Sequence, residues 1–425
     1  MRRRPRFILV GCGLMGRRHI RGLAVARRHG LCNAELVGVI DTVPERSSEA
    51  AELAERLLGE RPAIFTSLED AVKGVEFEAA DVCTEPSSHH LVAEPLLEAG
   101  VNCLVEKPLS ITVRGCRRIL DASVKGKAVL AVAENYRRDP VNRLTKAVID
   151  GGELGSWIGA LHIIAGGGDA VLLSPWRHKL SGGILIDLCC HYMDVFNYFF
   201  GAPERVSGLA ALLRKVRYMR EGGGEEVKKT PVEAEAEDFL DATLHYGDNI
   251  AAKFVANLAV TGEGVWRRLI FFEDGSIEIP MERTGEPLKI SKPLDQDYLG
   301  LMPHTAFLGQ KLGEPYRISP AAAAEIYDRE TRVLFPGILN GYRMDFWEAD
   351  SKLIALELSD FFRCVEEGGV PETGGREGML SVAMVAAALE SSYVGKSVRL
   401  EDVLDLRVES YQGKINREIG LISDK

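Results

Sequence analysis

The sequence predicts an α/β chain of two parts: a doubly wound domain on a parallel sheet, then an α+β domain whose sheet is mostly antiparallel. Three observations carry this. The first third alternates short apolar runs with stretches of helical spacing, and a glycine pattern follows the first run. Beyond residue 150 the apolar runs follow one another across turn-forming residues. Strict strand–helix alternation requires right-handed crossovers and a sheet covered on both faces, whereas strands joined by tight turns pair antiparallel.

Taken in order, FILV (7 to 10), ELVGVI (35 to 40), AIF (63 to 65), ADVCT (80 to 84), NCLVE (102 to 106) and AVLAVAE (128 to 134) read as strands. Apolar residues recur at helical spacing over Ser47 to Leu58, His89 to Ala99 and Thr112 to Ser123. The first domain is therefore assigned to residues 1–134 and the second to 135–425. In the second, a helix from Val141 to Asp150 stops at Gly151-Gly152. Strands follow at IGALHII (158 to 164), DFLDATLHY (238 to 246), NIAAKFVANLAV (249 to 260), WRRLIFF (266 to 272) and SIEI (276 to 279). Tyr246-Gly247-Asp248-Asn249 and Glu273-Asp274-Gly275 suit hairpin turns. Residues 220–238 are charged and poor in apolar side chains, and read as an exposed, mobile loop; 280–344 is punctuated by Pro and Gly and yields no clear element. Helices from Glu348 to Glu367 and Arg376 to Val394 each end at glycine.

Composition narrows the function. A net charge of −10 argues against a nucleic-acid partner, with the N-terminal MRRRPR read as a solvated terminus. No apolar run reaches membrane-spanning length, and FILVGCG is too short and glycine-rich for a secretory signal, so a cytoplasmic protein is the default expectation. The eight cysteines lie mostly in apolar segments without a CxxC pair; they read as reduced core residues, and no metal site is expected.

The motif GCGLMG places Gly11, Gly13 and Gly16 in G-x-G-x-x-G spacing, with Leu14 and Met15 at the start of the following helix. Gly11 permits the tight turn, Gly13 lets a pyrophosphate approach, Gly16 lets helix pack on strand, and the helix N-terminal amides bind the phosphates. Asp41 ends the second strand, where a carboxylate accepts from both hydroxyls of an adenosine ribose and repels a 2′-phosphate. NAD is therefore favoured over NADP, although Arg17, Arg18 and Arg46 stand where they would shield a 2′-phosphate. The bland alternative for Asp41 is a turn-forming residue ahead of Pro44.

Glu106-Lys107-Pro108 ends the fifth strand, at the sheet edge where ligands bind; a lysine there can hydrogen-bond a substrate hydroxyl and stabilise a developing alkoxide. In SGGILIDLCCHYMD (181 to 194), Asp187, His191 and Asp194 share one helical face. Such a stripe is costly to bury unless paired or used, and mutual pairing of Asp187 with His191 is the plain reading of the segment alone. Beside a nicotinamide, His191 becomes the base that takes the hydroxyl proton, while Asp187 binds a substrate hydroxyl or orients the imidazole. Gly182 and Gly183 would let backbone approach the ligand, and Asp194 is read as a structural partner.

Together, GCGLMG, Asp41, the Thr84 to His89 segment, Glu106-Lys107-Pro108, Asn135-Tyr136-Arg137, Trp176-Arg177 and G-G-x-x-x-D-x-x-x-H (182 to 191) resemble the Gfo/Idh/MocA oxidoreductases, the glucose-fructose oxidoreductase and inositol dehydrogenase group. The resemblance is strong from residue 7 to about 200. It implies an N-terminal Rossmann domain and a C-terminal domain with a largely antiparallel open sheet that commonly forms homodimers or homotetramers. It further implies a catalytic set of Lys107, Asp187 and His191. Thr84, Pro86, His89, Glu106 and Asn135 would line the cofactor site, and Tyr136, Trp176 and Arg177 would lie near nicotinamide or substrate. The sequence departs from the pattern at Thr84-Glu85-Pro86, where the family usually has Thr-Pro adjacent, and in a long segment from 280 to 344.

The leading expectation is an NAD-dependent dehydrogenase of a secondary hydroxyl on a sugar, sugar acid or cyclitol. The alternative within the same residue set is an NAD-dependent glycosidase, which oxidises a hydroxyl transiently, eliminates the aglycone and reverses the oxidation. A non-catalytic nicotinamide sensor is the third reading, and the presence of both Lys107 and His191 counts against it.

Overall fold

The computed structural model describes residues 4–171, 177–221, 228–247, 249–292, 314–316, 318–336 and 341–422. Six parallel strands, β1 (Arg6–Val10), β2 (Glu35–Ile40), β3 (Ala63–Phe65), β4 (Ala79–Val82), β5 (Asn102–Glu106) and β6 (Leu130–Ala133), form a sheet in the order β3-β2-β1-β4-β5-β6. Helices α1 (Leu14–Arg28), α2 (Pro44–Leu58), α3 (Leu68–Gly74), α4 (His89–Glu98) and α5 (Val113–Gly126) connect them. Local chemistry sets their ends: Pro44 opens α2 and left-handed Gly59 closes it, and the Thr112 side chain accepts from the Gly115 amide at the start of α5. The strand order reverses between β1 and β4, so the loops after these two strands diverge and leave a crevice at the carboxyl edge.

The chain then forms α6 (Pro140–Gly151), β7 (Trp157–Ala165), the short α7 (Gly168–Val171) and α8 (Gly183–Phe200). Next come β8 (Arg205–Ala211), β9 (Val216–Glu221), β10 (Lys228–Glu233), β11 (Phe239–Tyr246), β12 (Ile250–Asn257), β13 (Val265–Phe272), β14 (Gly275–Glu278), β15 (Lys289–Ser291) and β16 (Glu314–Pro315). Helices α9 (Pro320–Ile326), α10 (Arg329–Leu334), α11 (Phe346–Glu367) and α12 (Gly375–Val394), then β17 (Val398–Arg399), α13 (Leu400–Leu404) and α14 (Gln412–Glu418), complete the order. Nine strands run β16-β15-β14-β13-β7-β12-β11-β8-β17; β12 and β7 pair in parallel and the other neighbours are antiparallel. Alternate residues of β11 and β12 (Leu240, Ala242, Leu244; Ala252, Phe254, Ala256) are buried in one core with Tyr192, Phe196 and Phe199 of α8, which fixes the register of the sheet beneath that helix.

Two corrections to the sequence reading emerge. Residues 220–238 are not simply a loop: β9 and β10 pair as a two-stranded ribbon, from Val216 opposite Glu233 to Glu221 opposite Lys228. A ribbon outside the main sheet needs no apolar stripe, so composition concealed it. It is anchored instead by the fully buried Arg217, which donates to Asp238 Oδ2 and to the Gly168 carbonyl. Within 280–344 the chain adds β15 and β16 to the sheet edge and then α9 and α10. Leu334, Phe335 and Tyr342 from this segment share a core with Leu9, Ile20 and Leu23 of the first domain.

The last third also returns to the first sheet. Phe362 of α11 packs against Phe7 of β1 with ring centroids 4.9 Å apart, and a Cβ on Gly22 of α1 would lie 2.4 Å from Ile354 Cγ2. Helix α12 crosses β6 at Gly378, where a Cβ would lie 2.5 Å from Val132 Cγ2. Helices from beyond residue 345 therefore cover the sheet laid down by the first third.

Candidate active site

The glycine loop lies at the reversal point of the first sheet. Gly11 has φ +97°, and a Cβ on it would lie 2.5 Å from the Cys83 carbonyl oxygen, so only glycine lets the loops after β1 and β4 touch. A Cβ on Gly16 would meet the Gly11 carbonyl oxygen at 2.1 Å. Gly13 differs: a Cβ there would meet no atom of the chain within 4 Å. The N-terminus of α1 lacks both a side-chain cap and an acidic residue in its first turn, so its amides remain open to an anion. An open cradle beside uncapped amides fits a dinucleotide pyrophosphate.

Asp41 is buried at the end of β2 and accepts from the Cys12 amide through Oδ2 and the Val43 amide through Oδ1, both at 2.9 Å. It thus ties the glycine loop to the start of α2, and each oxygen retains a further lone pair for a ribose hydroxyl. Arg17 is paired with Glu49, and Arg18 is held by both oxygens of Asp350.

Lys107 and Asp187 converge from β5 and α8. Lys107 Nζ donates to Asp187 Oδ1 at 2.9 Å and to the Asp187 carbonyl at 3.2 Å. Burial opposes the ammonium, but the Asp187 carboxylate and further negative neighbours outweigh it and hold the Lys107 pKa above its ordinary value. Asp187 is thereby committed to the lysine. The partner of His191 is Glu134, at the end of β6: its carboxylate oxygens lie 2.7 and 2.8 Å from Nδ1. Tyr136 stacks on the imidazole at 3.9 Å and 4° between planes, and its amide donates to Glu134 Oε1 at 3.1 Å. Burial lifts Glu134 to about 7, while burial and then Lys107 hold His191 well below its usual value. Asp194 is the structural partner expected of it, gripped by Arg137 Nε at 2.7 Å.

Below Lys107 lies a buried acid–imidazole cluster. His19 of α1 meets Asp81 through Nδ1 at 2.9 Å and Glu106 through Nε2 at 3.0 Å, with Glu357 of α11 3.7 Å away. Cys83 Sγ lies beside Asp81, and His19, Asp81 and Cys83 have donor atoms close enough together to hold an ion. Both imidazole nitrogens already face carboxylates, an arrangement that suits an imidazolium. Its pKa is raised because Asp81 and neighbouring groups overcome the cost of burial. Glu106 Oε2 also accepts from the Lys107 amide at 2.9 Å, so Glu106 shapes the loop from below.

The remaining expected residues divide. His89 is buried with its two ring nitrogens against the Pro108 and Thr84 carbonyls, at 3.0 and 3.1 Å; it braces the Lys107 loop against the Thr84 loop. Pro86 opens the turn Pro86–Ser88, and Thr84 Oγ1 accepts from Ser88 Oγ at 3.1 Å. Asn135 Oδ1 accepts from Arg283 at 2.6 Å. The Arg177 carbonyl accepts from the Glu235 and Ala236 amides, whereas Trp176 lies outside the described residues. Gly182, with φ +98°, would bring a Cβ within 2.8 Å of Ile111 Cγ2, so its bareness serves close packing at the start of α8.

Two residues escaped the sequence reading. Glu134 carried the same signal as Glu106, an acid ending a parallel strand. Arg283 carried none: it comes from the unassigned segment, has φ +63°, donates to Asn135 and Asp350, and sits over the Tyr136 ring at 4.9 Å. Among the described residues, no helix is long and apolar enough to cross a membrane.

Known proteins share this arrangement of elements. D-apiose dehydrogenase of Paraburkholderia graminis is 22% identical over 405 residues, covering 93% of this chain and 89% of the relative. Levoglucosan dehydrogenase of Pseudarthrobacter phenanthrenivorans is 25% identical over 410 residues, covering 91% and 96%. A solved levoglucosan dehydrogenase in complex with NADH has the same fold, with a TM-score of 0.74 at 20% identity over 94% of this chain and 99% of that one. The family model described as an oxidoreductase family with an NAD-binding Rossmann fold matches residues 5–134, and the Gfo/Idh/MocA C-terminal domain model matches 142–278. With the two family domains matched in order and a mostly antiparallel second sheet following the Rossmann sheet, the chain belongs to the Gfo/Idh/MocA oxidoreductase family.

Proposed function

We propose that the protein is an NAD-dependent dehydrogenase that oxidises a secondary hydroxyl of a sugar, sugar acid or cyclitol. The observation that carries this is the meeting of Lys107, Asp187 and a carboxylate-backed His191 beside the Rossmann carboxyl edge. A nicotinamide bound in this cradle would supply the acceptor for the hydride leaving the carbinol carbon. The chain's own residues handle the proton and the charge. The imidazole of His191 takes the hydroxyl proton, and the Lys107 ammonium, held by Asp187, donates a hydrogen bond to the oxygen as negative charge builds on it. Gly11, Gly13 and Gly16 with the Leu14 and Met15 turn would hold the pyrophosphate, and Asp41 would favour NAD over NADP by accepting from the ribose hydroxyls.

The named activities of the relatives, on apiose and levoglucosan, support a carbohydrate or polyol substrate. Leu209, Val255, Ile163 and Leu269 lie on the sheet face opposite α8, which supports a homodimer or homotetramer formed through that face.

The test is a spectrophotometric screen with NAD and then NADP against aldoses, sugar acids, inositols and aryl glycosides. The proposal expects reduced nicotinamide to accumulate with one polyol or sugar class. Aryl-group release without net reduction would replace it with the redox-assisted glycosidase, and neither signal would remove both.

A further inference from the structure

We propose that Glu134 is a positioning residue that fixes the imidazole of His191 in its Nδ1–H tautomer and leaves Nε2 free as the base. The inference deepens the dehydrogenase reading above and rests on it for its kinetic consequence, though its geometry stands apart.

A neutral imidazole carries one proton, and only the unprotonated nitrogen can act as a base. Which nitrogen that is depends on the partner of the other. Asp187, one turn earlier on α8, is occupied by Lys107 Nζ at 2.9 Å. Glu134 instead reaches Nδ1 with both oxygens, at 2.7 and 2.8 Å, from the neighbouring strand β6. A buried carboxylate requires donors, and Glu134 has the Tyr136 amide and this imidazole. With Tyr136 stacked on the ring, both the plane and the tautomer of His191 are set from outside its own helix.

The charged and titratable groups around His191 are Glu134 and Tyr136 at the end of β6, Glu106 and Lys107 at the end of β5, Asp187 and Tyr192 on α8, and Arg283 from the segment after β14. Lys107 and Arg283 oppose an imidazolium, while Asp187 and Glu106 favour it. Glu134 adds a carboxylate in direct contact. The Glu134–His191 pair therefore titrates as a unit. Holding one proton, on Nδ1, it is a competent base; a second proton, on Nε2, silences it. Loss of the carboxylate charge makes the second proton harder to take up, so the pair's midpoint falls.

The test uses the full-length protein labelled with ¹⁵N-histidine. The signal of His191 is picked out from the nine histidines by its loss in His191→Asn. The proposal expects protonated Nδ1 and bare Nε2 in the wild type at pH 8. It expects the same tautomer in Glu134→Gln, whose amide oxygen still accepts, and a mixed or reversed tautomer in Glu134→Ala. With whichever sugar or polyol turns over, the acid limb of kcat should move to lower pH by at least about one unit in Glu134→Gln, and kcat should fall about ten- to a hundredfold in Glu134→Ala. NADH binding by each variant reports that it is folded. An Nε2–H tautomer in the wild type, or an acid limb unmoved in Glu134→Gln, would overturn the proposal. Should Glu134→Ala fail to fold, the wild-type spectrum and the Gln variant still decide. Should no substrate turn over, the dehydrogenase reading fails while the tautomer spectrum still tests the positioning.

Discussion

The glycines of the first loop do different work, and two single-methyl additions separate it. In Gly13→Ala the new Cβ meets no protein atom within 4 Å, and the backbone, at φ −66° and ψ −154°, is extended. The fold should therefore tolerate it, with a melting temperature within about 1 °C of wild type or slightly above, because alanine also restricts the unfolded chain. The methyl does enter the space in which a pyrophosphate would approach the amides. NADH affinity should fall at least about tenfold, equivalent to about 1.4 kcal/mol.

Gly16→Ala should do the reverse in the melt. Its Cβ would sit 2.1 Å from the Gly11 carbonyl oxygen, where ordinary contact begins at 3.4 Å, so α1 and the loop must separate by more than an ångström. Overpacking of this kind costs about 1–3 kcal/mol, against roughly 1 kcal/mol regained from helix propensity. In a chain of 425 residues each kcal/mol moves the melting temperature by about 1 °C, so the melting temperature should drop by about 1–2 °C. Calorimetric titration with NADH and thermal melts of both variants suffice. Unchanged NADH affinity in Gly13→Ala would refute the assignment of this loop to the pyrophosphate, and an undisturbed melt in Gly16→Ala would refute the packing argument.

Three further outcomes are expected. Lys107→Met and His191→Asn should each lower kcat by about a hundredfold or more while NADH still binds in titration; near-normal turnover in either would remove that residue from the chemistry. Asp41→Ala should narrow the ratio of kcat/KM for NAD over NADP. It should also lower the melting temperature, because the Cys12 and Val43 amides lose their acceptor; an unchanged ratio would leave Asp41 with the loop-tying role alone. Glu357→Gln should melt above wild type at pH 8, with the difference shrinking toward pH 5. Burial raises the native Glu357 pKa from 4.5 to about 8, so between those values the unfolded chain releases a proton that the native state keeps, and stability falls as pH rises. Glutamine cannot ionise and escapes that loss; a difference in melting temperature independent of pH would contradict it.

The first sheet was legible because a strand buried on both faces must be apolar throughout, and FILV, ELVGVI and NCLVE are such runs. The strands β9 and β10 were not. KKTPVE has no face to bury in a main sheet, and the ribbon is held by Arg217 and Asp238, whose partnership spans 21 positions and leaves no periodic trace. Likewise, nothing in the sequence says that Leu334 and Phe335 cross back to pack with Leu9 and Ile20, since any apolar segment can join any core.

The catalytic set shows the same divide between local and distant order. Asp187 and His191 could be seen to share a helical face because i and i+4 stack regardless of context. Spacing alone pairs them with each other, whereas in the structure Asp187 turns to Lys107 and His191 to Glu134, residues that directly follow parallel strands and lie eighty and fifty-seven positions away. Strand ends at the carboxyl edge of a doubly wound sheet converge by topology, so acids and bases that terminate neighbouring strands meet whatever helix lies across them. Glu106 ends β5 and Glu134 directly follows β6; one steadies the lysine loop and the other holds the histidine. The helix supplies the spacing of Asp187 and His191, and the sheet edge assigns each its partner.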